Sequence, residues 1–265
     1  MTSPAKNEYI LITGASSGIG RALAAEGASR GHNLFLVALP HDGLDDFVQE
    51  MKEKHKVEVK YNTTDLTQKD APQKIYEEAA AAGIRVSTLI NNAGMGHAGN
   101  FHEMTHEQLD SMIHLNLRAL THFTHLFIRD MVARNDGHIL NVGSLGAYTP
   151  VAYKSVYLAS KSYVYYFTGA LREEYGDTNL KFSVLMPAAV ATSKKVKQRV
   201  KDSGVMGKIT LLTPEYVARY TFDKMEKGKF TIMPGLASRA IFSISKWVPS
   251  GVLLKVTQRV FNKSN

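Results

Sequence analysis

Tyr157 and Lys161 are the two residues whose types and spacing most directly suggest chemistry. They lie in an apolar, aromatic segment, residues 156–171, whose periodicity predicts a helix. A spacing of four places the phenol and the ammonium on one helix face, one turn apart. Lowering a tyrosine pKa from about 10 to about 7 takes about 4 kcal/mol, and a cation about 4 Å away can supply that order of free energy. The pair could therefore form an acid–base group, although an amphipathic helix with a lysine over an aromatic ring would show the same spacing.

Length and composition limit the possible classes. The 265-residue chain is long enough for one large α/β domain with a substantial core. The absence of cysteine excludes disulfides and thiolate catalysis and is consistent with a reducing, cytoplasmic location. We expect no signal peptide or membrane span, because no apolar run has the required length. Most of the net charge of +8 follows residue 226 and accompanies no nucleic-acid-binding motif, so we expect no nucleic-acid partner.

A glycine-rich loop follows the first apolar run, residues 9–13, and precedes a good helix sequence that starts at Arg21. Strand, glycine loop and helix in this order are typical of a dinucleotide site. Gly14 permits the tight turn, Gly18 lets a diphosphate approach the backbone, and Gly20 lets the helix pack closely. The helix N-terminus offers its N–H groups to phosphates. The predicted cofactor contacts of this loop are Gly14, Ser16, Ser17, Gly18, Ile19 and Gly20.

Apolar runs alternate with helical patterns along the rest of the chain. This alternation predicts an α/β, Rossmann-type, doubly wound parallel sheet of about seven strands in a three-layer single domain. A long helix is predicted over residues 105–135, with Thr105 and Gln108 as a capping box. We assign residues 1–235 to the domain, with a lid at 189–209, and residues 236–265 to a basic amphipathic C-terminal extension. The further strands are predicted at residues 34–39, 57–61, 88–91, 138–142, 181–185 and 230–233.

Nicotinamide preference is usually set just beyond the second strand. Ala38 and Leu39 provide neither an acid nor an arginine there, and His41 is the nearest possible cation. The missing acid removes a repulsion against a 2′-phosphate, so the sequence favours NADP over NAD. Asp65, after the third strand, is either a turn acid or a carboxylate that reaches the adenine amino group, and the sequence leaves both interpretations open.

Polar residues end the fourth and fifth strands. Small residues and amides at 91–94 suit a crevice floor, where a cofactor lies close to the backbone. Ser144 emerges at the same sheet edge, thirteen residues before Tyr157. Asn116 lies in a helix among apolar neighbours and would need hydrogen-bond partners if buried. We interpret the nearby histidines as surface or subunit-contact residues and predict no metal site; they are His102, His106, His114, His122 and His125.

These motifs in this order resemble the short-chain dehydrogenase/reductase family over residues of about 8–234. They are the glycine loop, Asn91-Asn92-Ala93-Gly94, Asn116, Ser144, Tyr157-x-x-x-Lys161 and the segment from Pro187 to Thr192. The resemblance implies an oxidoreductase that transfers hydride between NAD(P)(H) and the carbonyl or secondary alcohol of an apolar small molecule.

The resemblance also implies roles for individual residues. Tyr157 would be the catalytic acid or base, and Lys161 would lower its pKa and hydrogen-bond the nicotinamide ribose. Ser144 would polarise the substrate oxygen, and Asn116 would hold a water that relays protons to Lys161. Thr192 would hold the carboxamide of the cofactor. The remaining implied cofactor contacts are Leu39, His41, Asp65, Leu66, Asn92, Ala93, Gly94, Pro187 and Val190. Pro187-Ala188 departs from the usual Pro-Gly, and this puts the local backbone path in question.

The C-terminal extension resembles that of the DltE-like bacterial reductases and their steroid or fatty-acyl dehydrogenase relatives. It is either a packing arm or subunit contact, or an amphipathic segment that lies on a membrane or covers an apolar substrate. The family commonly pairs the two long helices, so a homodimer or homotetramer is expected. A non-catalytic nucleotide-sensing or scaffolding protein is the alternative function, and the intact set of four catalytic positions argues against it.

Overall fold

Seven parallel strands form one sheet in the order β3-β2-β1-β4-β5-β6-β7, which confirms the predicted doubly wound fold. The computed structural model describes residues 7–40, 43–192 and 211–245. His41, most of the predicted lid and the extension beyond residue 245 lie outside the described residues. The strands are β1 (Glu8–Thr13), β2 (Asn33–Ala38), β3 (Val59–Thr63), β4 (Arg85–Asn91), β5 (Gly137–Val142), β6 (Leu180–Leu185) and β7 (Thr231–Ile232).

Helices cover both faces of the sheet and make the three layers. One core cluster joins α1, α2 and α7 to the sheet, and a second joins α3 and α5 to the opposite face. In β1, Ile10 belongs to the first cluster and Leu11 to the second, as expected of a strand buried on both faces. The described helices are α1 (Gly18–Ser29), α2 (Leu44–His55), α3 (Ala71–Ala81), α4 (His106–Ile113), α5 (Leu120–Arg134), α6 (Ser155–Glu174), α7 (Pro214–Met225) and α8 (Leu236–Ser245).

The prediction of one continuous helix over residues 105–135 is wrong in its middle. The capping box of Thr105 and Gln108 is present, but a π-helical segment, His114–Ala119, separates α4 from α5. Asn116 lies in this segment and is buried, with its side chain bound to groups outside the helix. Because π-turns often occur where a helix must present a side chain to a functional site, the interruption marks this position.

Register brings the carboxyl ends of the central strands together. Asn91 of β4 pairs with Asn141 of β5, and the Asn91 amide donates to the Asn141 oxygen over 2.9 Å. The loops that carry the predicted site residues all leave the sheet at this edge. Strand limits differ most at β4, which starts three residues earlier than predicted, and at β3. The latter starts two residues later than predicted, because Lys56 adopts a left-handed conformation and β2 pairs with Val59 onward. None of the helices within the described residues has the length and apolarity that a membrane span requires.

Gly20 provides a test of the loop packing. A Cβ atom there would lie 2.1 Å from the Gly14 carbonyl oxygen and 2.4 Å from the Asn92 amide nitrogen. We therefore expect Gly20→Ala to lower the free energy of unfolding by about 3 kcal/mol, because backbone atoms must move. The measurement is urea unfolding followed by circular dichroism.

Gly169, inside α6, is the matched control. Its nearest neighbour would lie 3.6 Å from an added Cβ atom, an ordinary contact. Gly169→Ala should raise the free energy of unfolding by about 0.5–1 kcal/mol, since alanine favours a helix interior. Equal stability of the two variants would contradict the predicted clash at Gly20.

Candidate active site

One cleft of about 1160 Å³ opens at the carboxyl edge of the sheet, where β1, β4 and β5 end. It contains nearly all of the residues that the sequence nominated. Asn116 and Gly20 do not line it, and His41 lies outside the described residues. The nominated residues that line the cleft are Gly14, Ser16, Ser17, Gly18, Ile19, Leu39, Asp65, Leu66, Asn92, Ala93, Gly94, Ser144, Tyr157, Lys161, Pro187, Val190 and Thr192.

Thr13 and Asn92 clamp the glycine loop to the end of β4. The Thr13 hydroxyl accepts from the N–H groups of Asn92 and Ala93, both over 3.0 Å. The Asn92 amide donates to the carbonyls of Thr13 at 2.9 Å and Gly14 at 3.0 Å. Asn92 therefore shapes the loop with its side chain. Thr13 was not nominated from the sequence, although its position directly before Gly14 is a usable signal.

The start of α1 fits the diphosphate of a dinucleotide. Ser17 makes no side-chain cap bond and the first turn contains no acid, so within the helix itself no carboxylate competes for the first N–H groups. Gly14 and Gly18 both have positive φ, at +66° and +55°, as the turn requires. A Cβ atom at Gly18 would lie 3.0 Å from the Thr192 methyl group, so glycine is needed where the 187–192 segment approaches the loop.

Lys161 is buried, with 6% of its surface exposed. Its ammonium donates to the Val142 carbonyl over 2.8 Å, at the end of β5. It lies 6.0 Å from the centre of the Tyr157 ring. Burial lowers the pKa of Lys161 from 10.5 to about 8. A Cβ atom at Gly94 would lie 3.4 Å from this nitrogen, so glycine leaves the space above it open.

The pKa of Tyr157 does not move in the direction that the sequence suggested. Burial raises the pKa of the phenol above its ordinary 10.0, and a hydrogen bond with Ser144 lowers it only in part. The causes of this shift do not include the expected lowering by Lys161, whose ammonium donates to the Val142 carbonyl. The phenol is therefore protonated at neutral pH and can donate a proton to a bound oxygen.

Ser144 lies beside Tyr157, as the spacing predicted. Its hydroxyl hydrogen-bonds the phenol and accepts from the Gly146 N–H over 3.2 Å, at the start of a short 3₁₀ turn, Leu145–Tyr148. Gly96 lies close to the Tyr157 ring, since a Cβ atom added at Gly96 would be 3.1 Å from a ring carbon. Two hydroxyl groups thus meet in the cleft, where they could hold one substrate oxygen.

Asn116 holds the loop above β4 in place. Its amide donates to the Met95 carbonyl over 2.8 Å, and its oxygen accepts from the Met95 N–H over 2.9 Å. It also donates to the Ser160 hydroxyl over 3.0 Å, and Ser160 donates to the Tyr157 carbonyl over 2.6 Å. The side chain therefore positions Gly94, Met95 and, through Ser160, the helix that carries Tyr157. The predicted water relay to Lys161 stays a prediction.

Asp65 forms a turn just after β3 and lines the cleft. Its carboxylate accepts from the Thr67 N–H over 2.9 Å and from the Thr67 hydroxyl over 2.8 Å, which confirms the turn interpretation. Burial acts to raise the pKa of Asp65, but the hydrogen bonds from Thr67 and Gln68 hold it below its ordinary value. Leu39, just after β2, is 51% exposed and lines the same cleft.

The segment after β6 follows a regular path despite Ala188. Leu145 donates its N–H to the Pro187 carbonyl over 2.9 Å, and Val190 bridges to Leu212. Ala188 is not among the described residues with positive φ, so the alanine strains no backbone. Phe242 also lines the cleft. It was not nominated as a site residue, because the sequence placed it only within the apolar C-terminal extension.

The chain matches one protein family and is similar in sequence to curated proteins. The family described as short chain dehydrogenase matches residues 8–203. A very-long-chain 3-oxoacyl-CoA reductase of Macaca fascicularis is 34% identical over 204 residues, which are 75% of this chain and 65% of that protein. The chain thus spans slightly less than two thirds of the length of this curated relative.

Two solved structures with bound cofactor resemble the whole domain. A short-chain dehydrogenase from Sphingobium yanoikuyae in complex with NADPH has a TM-score of 0.79 and 28% identity, and the match covers 93% of this chain and 95% of that one. A short chain dehydrogenase/reductase from Burkholderia phymatum in complex with NAD has a TM-score of 0.79 and 26% identity, with 90% and 92% covered.

Lys161 predicts an unusual dependence of stability on pH. The lowered pKa of Lys161 means that the buried charge reduces the free energy of unfolding by about 3 kcal/mol. A methionine removes this cost but also loses the hydrogen bond to Val142, which contributes about 1 kcal/mol. We expect Lys161→Met to unfold with about 2 kcal/mol more free energy than the unaltered chain at pH 7. Urea unfolding at a series of pH values is the measurement.

The difference should shrink as the pH rises. Between pH 8 and 10.5 the unfolded chain keeps the Lys161 proton that the folded chain has lost. The unaltered chain therefore gains stability with pH in this window, and the variant does not. Lys60→Met, at an exposed position of β3, is the control and should show no such trend. A constant difference for Lys161→Met would contradict the buried-charge account.

Proposed function

Because the chain belongs to the short-chain dehydrogenase family, we propose that it is an NAD(P)-dependent oxidoreductase acting on the carbonyl or secondary alcohol of an apolar small molecule. The observation that carries the proposal is the convergence of Ser144 and Tyr157 in one cleft with the glycine loop. The alternative of a non-catalytic nucleotide sensor gains no support, since none of the four catalytic positions is altered or displaced from this edge.

In the proposed reaction Tyr157 supplies the proton. Its raised pKa keeps the phenol protonated at neutral pH, so it suits donation to the oxygen of a carbonyl substrate. The Ser144 hydroxyl holds the same oxygen and fixes the direction of the proton transfer. The nicotinamide, when bound, supplies or accepts the hydride. In the reverse direction Tyr157 accepts the alcohol proton.

Lys161 and Asn116 prepare the site for this step. The buried ammonium places positive potential under the position where negative charge develops on the phenol. Asn116 keeps the Met95 loop and the Tyr157 helix in register through its hydrogen bonds. We assign the cofactor to the length of the cleft, with the diphosphate at the start of α1 and the adenine near Asp65 and Leu66. Thr192 is the proposed carboxamide contact.

The relatives support a substrate with a carbonyl on an apolar body. The Macaca protein is named as a very-long-chain 3-oxoacyl-CoA reductase, and a structure with a TM-score of 0.79 and 25% identity is a bulky-bulky ketone specific alcohol dehydrogenase from Comamonas testosteroni. The cleft wall opposite the adenine end has matching chemistry, because Met95, Tyr148 and Val151 line it. The narrower DltE-like assignment has no support among these relatives.

Assembly and membrane contact are two further proposals. A homodimer or homotetramer through α4, α5 and α6 is supported by exposed apolar side chains on those helices, namely Ile113, Val132 and Tyr166. Contact of the basic extension with a membrane rests on its sequence alone, since residues 246–265 lie outside the described part. Sedimentation velocity and co-sedimentation with anionic liposomes would decide these two proposals.

Replacing the phenol tests the proposed mechanism. We expect Tyr157→Phe to lower kcat for ketone reduction about a thousandfold, because the proton donor is lost while the ring remains. NADPH fluorescence should show unchanged cofactor binding. Tyr166→Phe is the matched control on the same helix, where the side chain is 71% exposed, and should keep full activity. Full turnover by Tyr157→Phe would rule out the assigned role.

Leu39 tests the cofactor preference. A carboxylate at this position would repel a 2′-phosphate and accept a hydrogen bond from a ribose hydroxyl. We expect Leu39→Asp to shift the ratio of kcat/KM for NADPH over NADH at least about tenfold toward NADH. Leu39 is half-exposed, so the core is unaffected. Leu39→Asn is the uncharged control, and an equal shift in both variants would contradict the repulsion argument.

A further inference from the structure

The helix α8 packs against the domain and reaches the cleft. Its start is set by Gly235, whose φ of +87° turns the chain and whose Cβ position would lie 3.3 Å from the Leu212 side chain. The Arg239 guanidinium lies 6.0 Å from the centre of the Tyr220 ring of α7. These contacts fix the first turns of α8, and one turn after Arg239 the helix places Phe242 at the cleft.

An aromatic row continues from Phe242 into the domain. Its ring centre lies 4.4 Å from that of Tyr148, and Tyr148 meets Tyr165 of α6 edge to face at 4.9 Å. Tyr165 in turn lies 6.0 Å from Phe230, before β7. Aromatic pairs at these distances contribute beyond their buried area, so Phe242 and Tyr148 form a firm surface.

The surface that Phe242 and Tyr148 present is apolar. The Tyr148 hydroxyl is buried beside the Tyr165 side chain, so the cleft meets the ring and not the oxygen. Met95 and Val151 add further apolar surface to the lining of the same cleft.

We propose that Phe242 is a specificity-determining residue, and that its ring, packed on Tyr148, contacts the apolar chain of ketone substrates beyond the reacting carbon. The inference rests on the proposed function and adds to it a residue of the C-terminal extension. In this proposal α8, the described part of that extension, lies on the substrate side of the cleft. Ketones too short to reach Phe242 gain nothing from it, whereas long ones bury a further length of chain.

The test compares butanone with methyl nonyl ketone on the full chain. We expect Phe242→Ala to raise KM for the long ketone about tenfold and to leave KM for butanone and kcat for both nearly unchanged. Phe242→Leu should restore most of the long-ketone affinity, because it remains apolar. Leu236→Ala, 76% exposed on the same helix, is the matched control and should change neither value. Equal changes for the two ketones, or none, would overturn the proposal.

Binding without turnover separates this inference from the proposed function. The same two ketones are titrated calorimetrically into protein saturated with oxidised NADP. If Phe242→Ala weakens the binding of methyl nonyl ketone more than that of butanone, the proposed contact of Phe242 with the substrate is supported. This holds even if no hydride transfer is found, in which case only the proposed function fails. If ketones are turned over but the variant weakens the binding of both ketones equally, the proposed contact of Phe242 is rejected and the proposed function stands.

Discussion

The ammonium of Lys161, which lines the cleft, is held by a hydrogen bond to the carbonyl at the end of β5. A charge in this position is expensive, as its lowered pKa shows, and several features exist to accommodate it. Gly94 lacks the side chain that would press on it, and Asn116 borders the same glycine from the other side. The sheet thus provides a fixed hydrogen-bond acceptor for the ammonium, and the glycine beside it leaves room for the charge.

The loops at this edge are held by side chains that bind backbone groups. Thr13 and Asn92 join the ends of β1 and β4, and Asn116 grips Met95 through both its amide and its oxygen. Such contacts fix loop geometry before any ligand binds, and this preorganisation is what a hydride transfer between two bound molecules requires. Through Ser160, Asn116 also holds the part of the helix that carries Tyr157.

Local patterns in the sequence were sufficient to predict the strands, most helices and the edge at which the site forms. Apolar runs identify strands buried on both faces, and the glycine loop has a single structural context. Contacts between residues that are distant in sequence could not be predicted from these local patterns. The π-helical segment depends on Asn116 meeting Met95 and Ser160, which are distant in sequence. The direction of the Tyr157 pKa shift was mispredicted because residue spacing does not report burial, which raises this pKa.

The family match ends at residue 203, well before α7, β7 and α8. Phe242 therefore belongs to a stretch that the shared block does not include, whereas Ser144, Tyr157 and Lys161 lie inside that block. On the proposed role of Phe242, one part of substrate recognition is thus encoded outside the block that holds the reactive groups. Diversification of the last helices can retarget such a protein to new molecules without disturbing its reactive groups, and exchanging these helices between relatives offers a natural route to altered selectivity.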